Sequence, residues 1–159
     1  MKLRDGNFEC YRFQANLFLL IFEQLKTYTD MNNRKNISTG AKWEPVVGFS
    51  RAVRIGNQIF VSGTVAVDGE NKVIAPNNYY EQTKFIIQKI EKVIKEAGGS
   101  LSDVVRTRIY VLDINQWEDI ARAHKEFFSN IGPATSMIEI KGLIGKELVV
   151  EIEADAVLQ

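Results

Sequence analysis

The sequence predicts an α+β domain in which one sheet carries two helices on a single face. Five stretches alternate apolar and polar residues with period two, which is typical of half-buried strands. Two further stretches carry apolar residues at steps of three and four, as one face of a helix does. The predicted order is ββ-α-β-α-ββ, and strands that outnumber helices, with at least two joins of the hairpin type, favour an α+β sheet.

The first strand pair is a hairpin. Residues 52–55 and 58–64 are strand-like, and Gly56-Asn57 between them is a dipeptide that favours a tight turn. A helix is predicted over residues 79–97, since its apolar residues form one stripe and Gly98-Gly99 is placed to end it in the left-handed region.

A third strand is predicted over residues 104–112, with one apolar face and one face that carries Arg106 and Arg108. The second helix begins at Asn115 and stops before Gly132-Pro133. Two strands then end the chain, joined by a loop at residues 142–145 that contains two glycines. In the last strand Leu148, Val150, Ile152, Ala154, Ala156 and Leu158 form the core face.

The other face of the sheet mixes charges with aromatic and apolar groups. Its predicted members are Arg54, Phe60, Ser62, Arg106, Arg108, Tyr110, Thr135, Met137, Glu139, Lys141, Val149, Glu151 and Glu153. Such a mixture suits an interface between like subunits that holds a small polar ligand in a cleft. A solvated sheet face with scattered apolar residues is an equally good interpretation of the pattern.

Composition narrows the classes of function. The 159 residues carry 20 basic and 20 acidic side chains, so no long-range field attracts nucleic acid, and no nucleic-acid partner is expected. The single cysteine, Cys10, and the single histidine, His124, exclude a disulfide framework and a clustered Cys/His metal site. A cytoplasmic protein without metal or cofactor is expected.

Residues 1–30 differ from the rest and are predicted to be an extension, either a short helix around residues 13–26 or a mobile segment. An ordinary helix docked on the core is the alternative. The apolar run at residues 17–22 is far shorter than the roughly 20 residues that cross a bilayer, so no membrane association is expected. The domain itself is predicted over residues 31–159.

Four motifs carry a resemblance to a known family. They are GNQIFVSGT at residues 56–64, EAGGSLSDVVRTRIYVLD at residues 96–113, FF followed by PATS, and VVEIEADAV at residues 149–157. In this order they resemble the Rid family, the YjgF-type reactive intermediate deaminases, over about residues 44–159. The resemblance implies a chorismate-mutase-like fold and a homotrimer, with sheets around a central barrel, helices outside, and ligand clefts between subunits.

The resemblance also implies site residues. Glu151 matches the glutamate that positions the attacking water, and Ser62 matches a pocket serine. Thr135 stands where the deaminases have a carboxylate-binding arginine, and Phe49 stands where a pocket tyrosine is usual. A threonine hydroxyl in place of an arginine forfeits about 2–3 kcal/mol of binding to a carboxylate. Either Arg106 or Arg108, of which we select Arg108, supplies the missing charge, or the ligand is not a carboxylate.

Three hypotheses for function follow. The first is a hydrolase that deaminates reactive imines or enamines through a water held by Glu151. The second is a trimer that binds small molecules without catalysis, and the third, weaker one is ribonuclease activity or translation inhibition. Other conspicuous residues are interpreted structurally: His124 as a packed histidine, Trp117, Phe127 and Phe128 as core, and Lys89, Lys92 and Lys95 as part of a solvated helix face.

Overall fold

The computed structural model describes residues 33–159 together with Phe18 and Ile21. Residues from Arg34 to Gln159 form one unit. The predictions for residues 1–30, including the helix around residues 13–26, lie outside the described residues apart from those two positions. Within the described ranges, no helix is long and apolar enough to cross a membrane.

Six strands and three helices build this unit. The strands are β1 (Arg34–Ile37), β2 (Ala52–Ile55), β3 (Gln58–Val65), β4 (Val104–Val111), β5 (Ala134–Glu139) and β6 (Val150–Val157), and the helices are α1 (Trp43–Val47), α2 (Tyr79–Glu96) and α3 (Trp117–Phe128). The predicted order ββ-α-β-α-ββ is confirmed from β2 onward. Sequence analysis missed β1 and α1, which are four and five residues long and show too little periodicity to detect.

Local signals fix the first hairpin and the long helix as predicted. β2 and β3 pair antiparallel up to Ile55 opposite Gln58, and Gly56 has a φ of 58°, which glycine adopts without strain. The Asn78 side chain accepts a hydrogen bond from the Glu81 backbone N–H at 3.0 Å and caps the start of α2.

The strand order is β1-β2-β3-β6-β4-β5, so β6 lies between β3 and β4. β5 pairs in parallel with β4, across the α3 connection. The prediction that the last two strands form a hairpin-type pair is therefore wrong. β6 takes the central position because four of its eight residues, at alternate positions, are fully covered by the core, whereas β5 has few residues to bury.

Both long helices cover one face of the sheet, and the core lies between. The predicted core face of β6 is confirmed, since Val150, Ile152 and Ala154 have no exposed surface. We call the other side of the sheet the open face; in the described residues it carries Phe60, Ser62, Arg106, Arg108, Tyr110, Glu151, Glu153 and Asp155.

Several residues predicted for the open face lie elsewhere. Thr135, Met137 and Glu139 sit beside the buried Thr107, Ile109 and Val111 of β4, so they share the helix side of the sheet. The cause is that β5 is an edge strand with little burial on either side, so its alternation does not reveal which side is covered.

Two more corrections concern Arg54 and Val149. Arg54 pairs with the buried Ile59 and donates to the Ala97 carbonyl at the end of α2, at 2.7 Å. Val149 is buried, and its backbone N–H donates at 3.0 Å to Gln82, a fully covered side chain of α2. Trp117 is also misplaced by the sequence pattern: as the first residue of α3 it is 52% exposed, whereas Phe128 is buried.

Candidate functional site

The central acidic side chain of the open face is Glu151 on β6. It stands beside Tyr110 of β4 and Val65 of β3, at the point where the β3–β6 pairing is irregular between Val61 and Thr64. Gly63 lies in this irregular segment, and a Cβ atom there would be 1.9 Å from Glu151 Oε1. The bulge and the missing side chain together make the space in which the Glu151 carboxylate sits.

The environment of Glu151 raises the pKa of its carboxyl, which makes the ionised carboxylate a stronger base. Burial raises the pKa of the Glu151 carboxyl, repulsion from Glu153 raises it further, and the positive charge of Arg51 opposes both. Within the described part of the chain, no donor makes a hydrogen bond to this carboxylate. A carboxylate with a raised pKa and free lone pairs is able to hold a water molecule and accept its proton.

Ser62 and Phe49 lie close to Arg51, which connects them to the region around Glu151. The Ser62 hydroxyl donates to the Ser50 carbonyl at 2.7 Å, and the Phe49 ring centre lies 5.1 Å from the Arg51 guanidinium carbon. Arg51 Nη1 donates to the Gly63 carbonyl at 2.9 Å. Arg51 therefore ties the loop before β2 to the glycine beneath Glu151.

Sequence analysis missed Arg51 and also Glu44, which lies on α1. Glu44 is buried, and its carboxylate accepts hydrogen bonds from the Ser38 hydroxyl and from the Thr39 N–H and hydroxyl at 3.1 and 2.8 Å. Arg51 Nε lies 4.0 Å from it. Burial alone would raise the pKa of Glu44, but the hydrogen bonds from Ser38 and Thr39 and the charge of Arg51 outweigh it and lower the pKa.

The signal that could have found Glu44 and Arg51 is weak. A short loop separates Ser38-Thr39 from Glu44, and Arg51 follows Phe49 by two positions. Each is an ordinary pattern for a solvated loop, so nothing in the sequence separates them from surface residues.

Arg108, predicted to hold an anionic ligand, is already paired. Its Nη2 lies 3.1 Å from Asp155 and its Nη1 3.9 Å from Glu153, and the Tyr110 hydroxyl also donates to Glu153. Arg106, the other candidate, is exposed, and across residues 33–159 no carboxylate lies within 4.0 Å of it. The open face therefore offers one engaged and one available guanidinium on β4.

Thr135 lies on the other side of the sheet. It lines a cavity of about 360 Å³ between α3 and β5, with His124, Phe128 and Met137. Its hydroxyl donates to the Pro133 carbonyl at 3.1 Å and lies 3.0 Å from the Thr107 hydroxyl, which in turn is 3.1 Å from His124 Nε2.

The direction of these hydrogen bonds follows from proton counting. Because the Thr135 proton is used on Pro133, Thr107 must donate to Thr135 and can only accept from His124. Neutral His124 therefore carries its proton on Nε2. Burial lowers the pKa of His124, and its ring packs 4.5 Å from that of Phe128, in agreement with the interpretation as a packed histidine.

The structure thus places Glu151 and Ser62 on the open face, with Phe49 joined to them through Arg51, and puts Thr135 on the helix side. Thr135 pairs with Thr107 and Glu151 with Tyr110, three positions further along β4. A single copy of the chain does not bring Thr135 and Glu151 into one cleft.

Comparison with known proteins gives consistent matches over this unit. The sequence model of the family described as Endoribonuclease L-PSP matches residues 39–158. A RutC family protein of Pyrococcus abyssi is 35% identical over 113 residues, 71% of this chain and 88% of that protein. The 2-iminobutanoate/2-iminopropanoate deaminase of Dermatophagoides farinae is 27% identical over 129 residues, which are 81% of this chain and all of that protein.

Among solved structures, a member of the YjgF/YER057c/UK114 family from Mycobacterium tuberculosis matches with a TM-score of 0.72 and 43% identity, over 79% of this chain and 100% of that one. The family match at residues 39–158 includes β2 to β6 and the three helices, whereas residues 1–38, which include β1, lie outside it.

Proposed function

The chain belongs to the Endoribonuclease L-PSP family and is similar to a RutC family protein and to a member of the YjgF/YER057c/UK114 family. From this premise we propose that it is a cytoplasmic homotrimer that hydrolyses reactive imines or enamines. One observation carries the proposal: Glu151 is a half-buried carboxylate with a raised pKa, lodged over Gly63 and bonded to no donor in the described residues. The deaminase named among its relatives supports the same reaction class.

The chemistry needs one positioned water. Glu151 accepts a proton from the water as its oxygen adds to the carbon of the protonated C=N bond, which gives a neutral carbinolamine. The Glu151 carboxyl then protonates the amino group, and the regenerated carboxylate takes the hydroxyl proton as the C–N bond breaks, so that ammonia leaves and a carbonyl compound remains. Imines hydrolyse readily in water, so orientation of the nucleophile supplies the advantage that this site needs.

The homotrimer rests on the open face. The large side chains of this face include Phe60, 42% exposed, and Ile138, which lies beside Tyr110 and is 49% exposed, and no element within residues 33–159 covers them. Apolar side chains next to paired charges are typical of an interface between subunits. A second copy is also needed to bring Thr135 near Glu151, which supports a ligand cleft between subunits.

The charged side chains near the site affect which substrates it prefers. Thr135 replaces the carboxylate-binding arginine and its hydroxyl is committed within its own chain, while Arg108 is paired with Asp155 and Glu153. We therefore infer a preference for neutral imines over 2-imino acids, by up to about a hundredfold in kcat/KM. Arg106, which is unpaired across residues 33–159, is the group that would reverse this preference.

The test compares two imine sources. An amine oxidase generates neutral imines and an amino acid oxidase generates 2-imino acids, and loss of the imine is followed by trapping with semicarbazide. We expect the full chain to accelerate the decay of the neutral imine, and Glu151→Gln to lose about a hundredfold or more of the rate. Glu70→Gln, the same change at an exposed side chain that has no bond within residues 33–159, should stay within about threefold. Equal rates for the wild type and Glu151→Gln would overturn the proposal. A wild-type chain that elutes as a monomer from a sizing column would overturn the inter-subunit cleft.

A second candidate is a trimer that binds a small molecule without catalysis. The closed hydrogen-bond chain from His124 through Thr107 to Thr135 favours it, because no hydroxyl proton in that chain is left for a substrate. A neutral ligand that raises the melting temperature but is returned unchanged would support it. Ribonuclease activity is the weakest candidate, given equal numbers of acidic and basic residues, and RNA cleavage at low salt is its test.

A further inference from the structure

A second cleft is separate from the cavity at Thr135 and shares Arg51 with the surroundings of Glu151. It has a volume of about 430 Å³ and is bounded by the loop after β1, the turn after β3 and the outer side of α2. Four basic side chains line it, Lys42, Arg51, Lys89 and Lys92, against one acidic side chain, Asp68. The cleft is thus strongly positive although the chain as a whole is neutral.

Two cations, Lys89 and Arg51, lie on the inner side of this cleft, and the charge of Lys89 is poorly compensated. Lys89 is half-buried, and its ammonium group donates to the carbonyls of Val65 and Val67, at 3.3 and 2.6 Å. No carboxylate lies within 4.0 Å of it among the described residues. The interpretation of Lys89 as part of a solvated helix face is therefore wrong, because the side chain is half-buried and its ammonium group donates to carbonyls in the cleft wall.

Arg51 is the second inner cation. Glu44, 4.0 Å from its Nε, and Glu151 offset part of its charge, but Arg51 still repels the Lys89 ammonium group. Burial lowers the pKa of Lys89, the nearby Arg51 charge lowers it further, and Asp68 only partly offsets these effects. The Asp68 carboxylate is itself used by the turn, since its Oδ1 accepts the N–H groups of Glu70 and Lys72 at 2.9 Å each. Two positive charges that face the same cavity favour the binding of an anion between them.

The remaining wall of the cleft is apolar. The Phe85 ring centre lies 5.7 Å from the Lys89 ammonium nitrogen, and Val67 and Val93 complete the surface. Apolar walls with a few converging charges are typical of small-molecule sites. From this arrangement we propose that the cleft between α2 and the loop at residues 39–42 binds a small oxyanion, a phosphate or a carboxylate, that Arg51 and Lys89 hold.

The proposal concerns binding and does not depend on the hydrolase function. Thermal unfolding of the full chain is measured with increasing sodium phosphate, with sodium acetate and with sodium chloride at matched ionic strength. We expect phosphate or acetate to raise the melting temperature by roughly 5 °C at about twenty times its dissociation constant, and chloride to have no comparable effect. Comparison of phosphate with acetate identifies which oxyanion is preferred.

Substitutions then locate the site. Lys89→Met keeps the stem and removes the charge. Without ligand it should melt close to the wild-type temperature, because relief of the repulsion from Arg51 offsets the lost hydrogen bonds to the Val65 and Val67 carbonyls. It should weaken oxyanion binding about tenfold or more in calorimetry. Lys89→Arg should retain binding, and Lys95→Met, an exposed lysine on the same helix paired with Glu91 at 2.7 Å, should match the wild type.

Two results would overturn the proposal. One is an equal rise in melting temperature with chloride and with both oxyanions, which would indicate general screening. The other is full retention of the oxyanion effect in Lys89→Met. If Lys89→Met does not fold, Lys92→Met at the exposed rim of the cleft takes its place, with an expected loss of about threefold in affinity.

Discussion

Glu44 and Glu151 are two shielded carboxylates that both interact with Arg51, yet their environments act in opposite directions. Glu44 is held by donors from Ser38 and Thr39, and its pKa is lowered. Glu151 has no such donors among the described residues, is repelled by Glu153, and has a raised pKa. Hydrogen bonding to the charged form therefore decides the outcome, because burial raises the pKa in both cases.

The comparison teaches which carboxylate is structural and which is available for chemistry. Glu44 uses its lone pairs to fix the loop between β1 and α1, so it has none to offer a substrate. Glu151 keeps its lone pairs and sits where Gly63 removes a side chain to admit it. Perturbed groups without compensating partners are typical of functional sites.

The largest effect is expected from Glu44→Ala. It leaves the Ser38 and Thr39 donors and part of the Arg51 charge without an acceptor in a buried place, and we expect a loss of about 2–4 kcal/mol in the free energy of unfolding. Urea unfolding measures it. Glu70→Ala, an exposed acidic residue whose side chain has no bond within residues 33–159, is the control and should change stability by less than about 0.5 kcal/mol. A small effect at Glu44 would mean that its hydrogen bonds contribute little.

Gly63→Ala tests the other member of the pair. The new methyl group would meet Glu151 Oε1 at 1.9 Å, so the carboxylate must move. We expect a loss of about 1–3 kcal/mol in stability and of about a hundredfold in the rate of imine hydrolysis. Gly69→Ala is matched, since a Cβ atom there meets nothing within 4 Å. Unchanged hydrolysis in Gly63→Ala would show that the position of Glu151 does not matter.

Ser62→Ala separates support from substrate contact beside Glu151. Loss of the 2.7 Å bond to the Ser50 carbonyl should cost about 0.5–1.5 kcal/mol in the free energy of unfolding. If Ser62 acts only through that bond, KM and kcat for imine hydrolysis stay unchanged. A raised KM at constant kcat would assign it to ligand binding instead. Ser129→Ala, at an exposed position, controls for removal of a hydroxyl.

Sequence reasoning succeeded where local chemistry and burial agree. The Gly56-Asn57 turn, the stripe of α2 and the alternation of β6 each follow from residues that act at short range or against a deep core, and these elements are as predicted. The family resemblance led to Glu151, Ser62 and Phe49, which the structure links around Arg51.

It failed where long-range pairing decides. The alternation of apolar and polar residues does not predict that β6 lies between β3 and β4, because that position depends on which strands pair. It also does not predict that Thr135, on the edge strand β5, lies on the helix side of the sheet. Arg51 and Glu44 were missed because their importance comes from contacts between loops distant from any periodic segment. Those contacts exist only once the chain has folded.

Glu151→Gln gives the smallest expected effect on stability and the sharpest test of the comparison. The pKa of Glu151 is raised in the folded state. The contribution of its protonated carboxyl to the free energy of unfolding is therefore fully present below the pKa of the unfolded chain, and it is lost as pH rises through the pKa of the folded state. The glutamine amide introduced by the substitution is uncharged, so its burial does not carry the cost of desolvating a carboxylate at high pH. Glu151→Gln should therefore be more stable than the wild type at pH 7–8, by roughly 0.5–1 kcal/mol, and the difference should vanish near pH 4.

Glu44→Gln is the matched control, with the opposite sign. Because the folded pKa of Glu44 is lowered, its contribution is present above the unfolded pKa and is lost as pH falls through the folded value. The substitution should destabilise the protein at neutral pH and become less costly in acid. Melting temperatures of both variants between pH 4 and pH 8 would therefore diverge from the wild type in opposite directions as pH rises. If they moved together, the two carboxylates would not differ in the way that their hydrogen bonds imply, and Glu151 would lose its distinction as the group free to act on water.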